Sequence, residues 1–217
     1  GTANIGGANV ASVLVSDRPA FKGQVNFNGG VFAAKDIWRN TKDDPNTAYA
    51  TFNGGTFKAK QSGAQLFGAP GNKIDGAYVY EKGAQFDTDG YNVTLGQTLR
   101  APQGLGVKAI RWTQTDAAKL KWKGTELMGP PVVIIEGDGE GATAVVDFDT
   151  ATRTVKGIIV TSPGWGYTEK PTVKLFGGGL YVDNNTQTYT IAATAVTMGE
   201  SSSGPIVKKG AGRLTLE

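Results

Sequence analysis

Residues 25–35 and 50–60 decide the fold: they read VNFNGGVFAAK and ATFNGGTFKAK. The second stretch is thus a repeat of the first, at an offset of 25 residues. Two phenylalanines and an Asn-Gly-Gly sequence recur at matching places in the two copies. Asn-Gly-Gly between apolar and β-branched residues is typical of two strands joined by a tight turn. One such unit cannot bury its own apolar face, so a repeat of this length predicts stacked units.

Glycine supplies 32 of the 217 residues, about twice its usual share of ~7%. The glycines follow no Gly-X-Y period, which excludes a collagen helix, and they separate short runs rich in Val, Ile, Thr, Phe and Tyr. No helical periodicity of useful length appears. The sequence therefore predicts an all-β, stacked-repeat fold in which Phe27, Phe32, Phe52 and Phe57 form an internal apolar ladder.

The chain has neither cysteine nor histidine. The absence of cysteine excludes disulfides, thiolate nucleophiles and Cys-ligated metals. The absence of histidine excludes the usual general base and the Ser-His-Asp triad. Any metal site would consist of oxygen ligands, which favours Ca²⁺ or Mg²⁺, and we predict neither a metal nor a cofactor. No apolar run approaches the ~20 residues of a membrane helix, so we predict no membrane insertion.

The pattern of residues along the sequence changes after Pro130. An apolar run at residues 131–135 leads to a predicted hairpin turn at 137–141, which reads Gly-Asp-Gly-Glu-Gly, and further strand-like stretches follow. We interpret residues 131–179 as a compact, Gly-rich antiparallel β insert. The predicted domains are a β-repeat region at 1–130, this insert at 131–179, and a return to the β-repeat region at 180–217.

The last strand-like stretch, residues 208–216, reads KKGAGRLTL. It resembles the autotransporter-associated β-strand repeat, which carries Lys-x-Gly-x-Gly followed by Leu-Thr-Leu. The two Phe-Asn-Gly-Gly units and residues 86–94, FDTDGYNVT, are similar to the strands and turns that precede this repeat in large bacterial surface proteins. Residues 131–179 resemble a Gly-rich insert of such proteins, which often ends in Pro-Gly-Ser-Gly-Tyr-x-x-x-Pro-Thr-Val, and here Trp165 stands in place of the small residue.

This resemblance covers the larger part of the chain and leaves residues 36–49 and 99–129 unexplained. It implies a right-handed parallel β-helix passenger region that is extracellular or on the outer-membrane surface of a Gram-negative-type bacterium. The family motif carries no catalytic residues, so the resemblance favours a non-enzymatic passenger or adhesin segment. We expect such a segment to display a binding face for host glycans or mucin, and its oligomeric state stays open.

Paired carboxylates support an alternative, a mucin- or polysaccharide-degrading hydrolase of the aspartic type. Such an enzyme needs two Asp that share a proton, each on an Asp-Thr/Ser-Gly turn, and glycosidases also use two carboxylates. The nearest candidates are Asp87, Asp89, Asp147 and Asp149, none of which lies in a true Asp-Thr/Ser-Gly sequence. Asp beside Gly is also common in tight turns, and we favour that structural interpretation.

A basic segment supports a second alternative, the binding of an anionic polymer such as DNA or a sulfated or sialylated glycan. Its basic and aromatic residues are Arg100, Lys108, Arg111, Trp112, Lys119, Lys121 and Lys123. Cations interleaved with aromatic rings suit such polymers, although a net charge of +3 is modest for a nucleic-acid-binding protein. The alternation over residues 119–123 is also typical of a half-buried strand with its lysines in solvent, which we favour.

Two aromatic residues, Trp165 and Tyr167, lie in a predicted Gly-rich turn that reads Pro-Gly-Trp-Gly-Tyr. A large ring is hard to bury in a turn, so these rings are candidates for stacking on a sugar. Exposed aromatic residues also occur singly without a function. The ligand-binding candidates are therefore these two residues and the basic segment.

Overall fold

The computed structural model describes residues 2–4, 13–14, 22–39, 47–68, 71–120, 127–180 and 187–217. Within these ranges the chain is mostly β, with 21 strands, one short α-helix and one 3₁₀ turn, which confirms the predicted fold class. No helix in the described ranges is long and apolar enough to cross a membrane. The chain divides into two compact units: a first unit of Gly1–Pro102 with Ser202–Glu217, and a second of Gln103–Ser201.

The first unit begins with twelve strands: β1 (Thr2–Asn4), β2 (Val13–Leu14), β3 (Lys22–Phe27), β4 (Val31–Ala34), β5 (Ile37–Trp38), β6 (Thr47–Phe52), β7 (Thr56–Ala59), β8 (Gln65–Leu66), β9 (Gly76–Val79), β10 (Ala84–Asp87), β11 (Val93–Leu95) and β12 (Leu99–Arg100). The second unit contains β13 (Leu105–Ile110), α1 (Gln114–Lys119), β14 (Val132–Glu136), β15 (Glu140–Asp149), β16 (Thr154–Trp165), β17 (Thr172–Phe176), β18 (Thr188–Ile191), the 3₁₀ turn (Ala193–Ala195) and β19 (Val196–Glu200). The first unit resumes with β20 (Ile206–Lys209) and β21 (Leu214–Leu216).

The strands of the first unit pair in parallel. Their orders are β1-β4-β7-β10-β20, β3-β6-β9-β12, β8-β11-β21 and β2-β5. Strands that follow one another along the chain lie in different sheets, so that β6, β7 and β8 make one coil and β9, β10 and β11 make the next. This is the arrangement of a parallel β-helix.

The 25-residue repeat of the sequence is the step from the coil of β3 and β4 to the coil of β6 and β7. Phe27 pairs with Phe52 in β3 and β6, and Phe32 pairs with Phe57 in β4 and β7. All but the half-buried Phe32 are at most 4% exposed, and Phe86 continues the column beyond Phe57. The predicted phenylalanine ladder is confirmed, and full burial of such a ring stabilises the fold by about 1.5–3 kcal/mol.

The Asn-Gly-Gly turn between β6 and β7 is rich in glycine because two coils approach closely there. The amides of Asn53 and Gly55 both donate to the carbonyl oxygen of Phe27, at 2.8 and 3.0 Å. A Cβ on Gly55 would lie 2.7 Å from the carbonyl carbon of Phe27. Gly54 has a φ of +98°, which side chains disfavour. The turn therefore needs both glycines.

Counted from the coil of β3, β4 and β5, the fourth coil consists of β12, β20 and β21, and the second unit interrupts it. β12 pairs with β9, whereas the strands that next join the stack are β20 on β10 and β21 on β11. The second unit thus enters between the first and second strands of a coil, where the earlier coils have a short turn. Inside that unit, Leu105 of β13 pairs with Glu200 of β19, so its entry and its exit lie side by side.

The second unit consists of small antiparallel sheets with the orders β13-β19, β14-β17-β18 and β15-β16. Its apolar cluster includes Val107, Val173, Leu175 and Val196. The predicted antiparallel β structure is confirmed. The hairpin predicted at residues 137–141 is wrong, because this stretch joins β14, which pairs with β17, to β15, which pairs with β16.

Candidate ligand-binding site

Asp87 and Asp89 form a turn at the end of β10 in the first unit. The Asp87 side chain accepts a hydrogen bond from the amide of Asp89 at 2.9 Å, and Asp89 pairs with Lys58 at 2.9 Å. In the parallel register Asp87 lies between Lys58 and Lys209. Asp89 has a φ of +48°, a conformation that Asp tolerates better than most residues. Both carboxylates therefore have turn and charge-pairing roles within the stack.

Asp147 and Asp149 lie on β15 in the second unit, whereas the other two candidate carboxylates lie in the first. Asp147 is exposed. Asp149 accepts hydrogen bonds from the amides of Ala151 and Thr152 and pairs with Lys156 at 2.8 Å. The bond to Lys156, with the two amides, holds the pKa of Asp149 well below its usual range. In a proton-sharing pair one carboxyl keeps its proton, and Asp149 is unsuited to be that carboxyl because its ionised form is favoured.

The basic segment is divided between the two units. Arg100 ends β12 in the first unit, whereas Lys108 and Arg111 lie in the second, and all three are exposed. Lys119 ends α1, so the strand predicted over residues 119–123 is wrong at its beginning, because a capping box starts a helix before it. Outside the described residues lie Lys121 and Lys123.

Trp112 packs inside the second unit. Its Nε1 donates to the carbonyl oxygen of Val155 at 2.9 Å. Its ring meets the ring of Tyr189 edge to face, with centroids 6.1 Å apart. The half-buried indole therefore supports Tyr189 instead of forming an open stacking surface.

The rings of Trp165 and Tyr167 pack against backbone. Trp165 ends β16 opposite Glu140, so the turn predicted at this residue is wrong. Tyr167 is only 3% exposed, and burial raises its pKa. A Cβ on Gly139 would lie 2.4 Å from the Tyr167 ring, and one on Gly141 would lie 2.1 Å from the Trp165 ring. These glycines make room for the two rings, and Tyr167 offers no open face to a sugar, whereas Trp165 is half-buried.

A cavity of about 360 Å³ lies on the second unit, and sequence reasoning missed it. Three segments far apart in the sequence meet there: α1, the start of β17 with the two residues before it, and the end of β18 with the residues that follow. The residues that line it include Asp116, Lys170, Pro171, Thr172, Tyr189 and Ile191. The only local signal is the capping box of Thr113 and Asp116, which marks the start of α1.

Asp116 is held in one orientation from two sides. Thr113 donates to its Oδ2 from the backbone amide at 3.0 Å and from the hydroxyl at 2.5 Å. The hydroxyl of Tyr189 donates to its Oδ1 at 2.5 Å. Burial, reinforced by this hydrogen bond, raises the pKa of Tyr189 to about 12, so the phenol remains a donor at neutral pH. The cavity thus contains a carboxylate in a fixed geometry.

The other walls of the cavity combine polar and apolar groups. Lys170 is exposed, and its Nζ donates to the carbonyl oxygen of Ala193 at 3.4 Å. Thr172 is also exposed and contributes a hydroxyl, whereas Pro171 and Ile191 are buried and supply apolar surface. An acceptor, a cationic donor and a hydroxyl beside an apolar surface suit a small molecule that is rich in hydroxyl groups.

No group of three or more acidic side chains that could hold a metal ion occurs in the described part of the chain. No protein-family model, curated protein or solved structure matches the chain.

Proposed function

We propose that this chain is a non-enzymatic, passenger-type segment of a bacterial surface protein, in which the β-helix is a scaffold and the second unit binds host glycans or mucin. The observation that carries the proposal is the interruption of the fourth coil. β10 pairs in register with β7 on one side and with β20 on the other, so the stack continues past the insertion. Rigid scaffolds commonly carry binding functions on segments that replace their turns.

The last two strands support the passenger-type part of the proposal. Residues 208–216, which resemble the autotransporter-associated repeat, include the end of β20 and all of β21. Gly210 and Gly212 of that motif both have positive φ, and a Cβ on Gly212 would lie 2.2 Å from the carbonyl oxygen of Tyr91 in the preceding coil. The glycines of the motif are thus explained by contact between coils, which fits a repeat that serves stacking.

The carboxylates favour binding over hydrolysis. Asp87, Asp89 and Asp149 each take part in turns or ion pairs. The lowered pKa of Asp149 is the reverse of what a general acid needs. The basic segment gives little support for the binding of an anionic polymer, because its described cations belong to two different units.

The test is retention of the purified chain on immobilised mucin, with released fragments measured in parallel from acidic to mildly alkaline pH. Retention without cleavage, unchanged in an Asp87→Asn/Asp147→Asn double variant, supports the proposal. Cleavage that disappears in the double variant would replace the proposal with an aspartic-type hydrolase. A linear fall in log affinity with log salt would instead indicate an anionic polymer bound through Lys and Arg.

A further inference from the structure

We propose that the cavity bounded by Asp116, Lys170 and Tyr189 binds a single residue of an uncharged sugar. This inference rests on the proposed function and adds the ligand class and the site. Ligand pockets in proteins begin at about 300 Å³, and the volume here is about 360 Å³. A cavity at the small end of the range suits one sugar ring and leaves the rest of a glycan in solvent.

The polar groups of the cavity match the hydroxyls of a sugar. Hydroxyls both donate and accept hydrogen bonds, so the several hydroxyls of a sugar can donate to the Asp116 carboxylate and accept from the Lys170 ammonium. Hydrogen bonds with one charged partner are roughly twice as strong as neutral ones. Thr172 adds a neutral hydroxyl to the same wall.

The apolar groups of the cavity match the C–H face of a sugar ring. Pro171 and Ile191 line the cavity and are buried, whereas Ala192 and Ala193 line it and are exposed. A sugar ring that lies against the two alanines removes apolar surface from water while its hydroxyls reach the charged groups. Binding pockets generally have this division, with apolar walls and a few polar groups that fix orientation.

The two charged groups of the cavity, Asp116 and Lys170, have opposite signs. A sialic acid or a sulfated sugar is attracted by Lys170 and repelled by Asp116, and a cationic ligand meets the reverse, so neither gains a net attraction from the pair. Either ligand would also lose part of the hydration of its own charge on binding. An uncharged sugar uses both groups as hydrogen-bond partners without that cost, so we expect the cavity to prefer the neutral residues of a glycan.

The carboxylate is also prepared for binding before any ligand arrives. Trp112 supports Tyr189, and Tyr189 and Thr113 hold the two oxygens of Asp116. Groups that are already fixed lose little freedom when they bind, which lowers the entropic cost of association. The hydrogen-bonded Asp116 is therefore suited to orienting a ligand as well as to capping α1.

The probes are methyl glycosides of galactose, N-acetylgalactosamine, N-acetylglucosamine and fucose, with sialic acid as the anionic comparison. Binding to the whole chain is measured by saturation-transfer NMR and by titration calorimetry. We expect at least one uncharged glycoside to bind, and Lys170→Gln and Asp116→Asn each to weaken that binding about tenfold. Thr172→Val should weaken it less. The matched control is Lys156→Gln, an exposed lysine of the same unit that does not line the cavity, and it should bind as the parent chain does.

Asp116→Asn also alters the cap of α1, so the thermal stability of each variant is measured alongside. Lys170 and Thr172 are exposed, and their substitutions test the site even where Asp116→Asn does not fold. Equal glycoside binding by the parent chain, Lys170→Gln and Thr172→Val would overturn the inference, as would a preference for sialic acid. Retention on mucin without binding of any uncharged glycoside would overturn the cavity inference and leave the proposed function standing, whereas loss of both would overturn both.

Discussion

The rings of Phe27 and Phe52 stack with centroids 4.6 Å apart and planes at 12°, and the two residues are paired in the parallel register of β3 and β6. Each coil of a β-helix contacts mainly its neighbours, so such columns provide the apolar core. Phe52 also meets the rings of Phe67 and Phe86. Phe52 therefore packs against side chains of its own coil and of the coils on both sides.

Phe52→Ala should lower the free energy of unfolding by about 3–5 kcal/mol, because it leaves a cavity in a place that is fully buried. Urea denaturation followed by circular dichroism gives the value. The control is Leu216→Ala in the same unit, where the side chain is 68% exposed and the expected loss is below about 1 kcal/mol. Similar losses in the two variants would contradict the role of the phenylalanine column.

Gly55→Ala should destabilise the stack by about 1–3 kcal/mol, because the added Cβ meets the backbone of Phe27, which cannot move aside without shifting β3. The same denaturation experiment measures the change. Gly96→Ala is the matched control, since its Cβ would find only ordinary contacts at 3.8 Å, and it should be close to neutral. If both substitutions were equally tolerated, close approach of coils would not be the reason for glycine in the turn.

Asp149 should make the second unit sensitive to acid. Its pKa is lowered in the fold, so the stability that it contributes is present above its unfolded pKa of about 3.9 and is lost as the pH falls through the lower folded value. The difference in Tm between the parent chain and Asp149→Asn should therefore be largest at neutral pH and shrink below about pH 4. Asp147→Asn removes the same charge from the same strand, and an identical pH profile for both variants would argue against this assignment.

A short turn should replace the second unit without loss of the stack. When residues 103–203 are replaced by one Asn, the link between β12 and β20 becomes comparable to the short link between β9 and β10. We expect a β-type circular dichroism spectrum, cooperative unfolding and no retention on mucin. A shortened chain that fails to fold would contradict the scaffold role of the β-helix, and one that still binds mucin would move the binding face to the stack.

The stacking of coils could be predicted because its signal is local and repeated. The coils of β3–β4 and β6–β7 place phenylalanine and glycine at equivalent positions, so the contact between Phe27 and Phe52 can be predicted from the repeat. The insertion point has no such signal, since β12 and β20 complete one coil although the whole second unit separates them. The change in pattern after Pro130 falls inside that unit, which begins at Gln103.

The cavity could not be predicted for a related reason. Asp116, Lys170 and Tyr189 come from three distant segments, which meet through the pairing of β17 with β18 and the hydrogen bond from Tyr189 to Asp116. α1 has six residues, which is too short for a helical period to show. Tyr167 was expected to be exposed because it follows glycines, yet a distant glycine, Gly139, leaves the space that its ring fills.

The two ends of the second unit are held side by side. Leu105 pairs with Glu200, and the Ser201 amide donates to the Gly104 carbonyl oxygen at 3.2 Å. This closure affects how the chain folds. Contacts between the other coils join residues that are close in the sequence. The fourth coil differs, because the whole second unit lies between its strands β12 and β20. The entropic cost of closing a loop grows slowly with its length, by about 0.6 kcal/mol per doubling. Because the ends of the second unit are paired with each other, the folded unit also shortens the gap between β12 and β20 that the chain has to close. Another small domain whose two ends lie side by side could therefore occupy the same place while the coils keep their register.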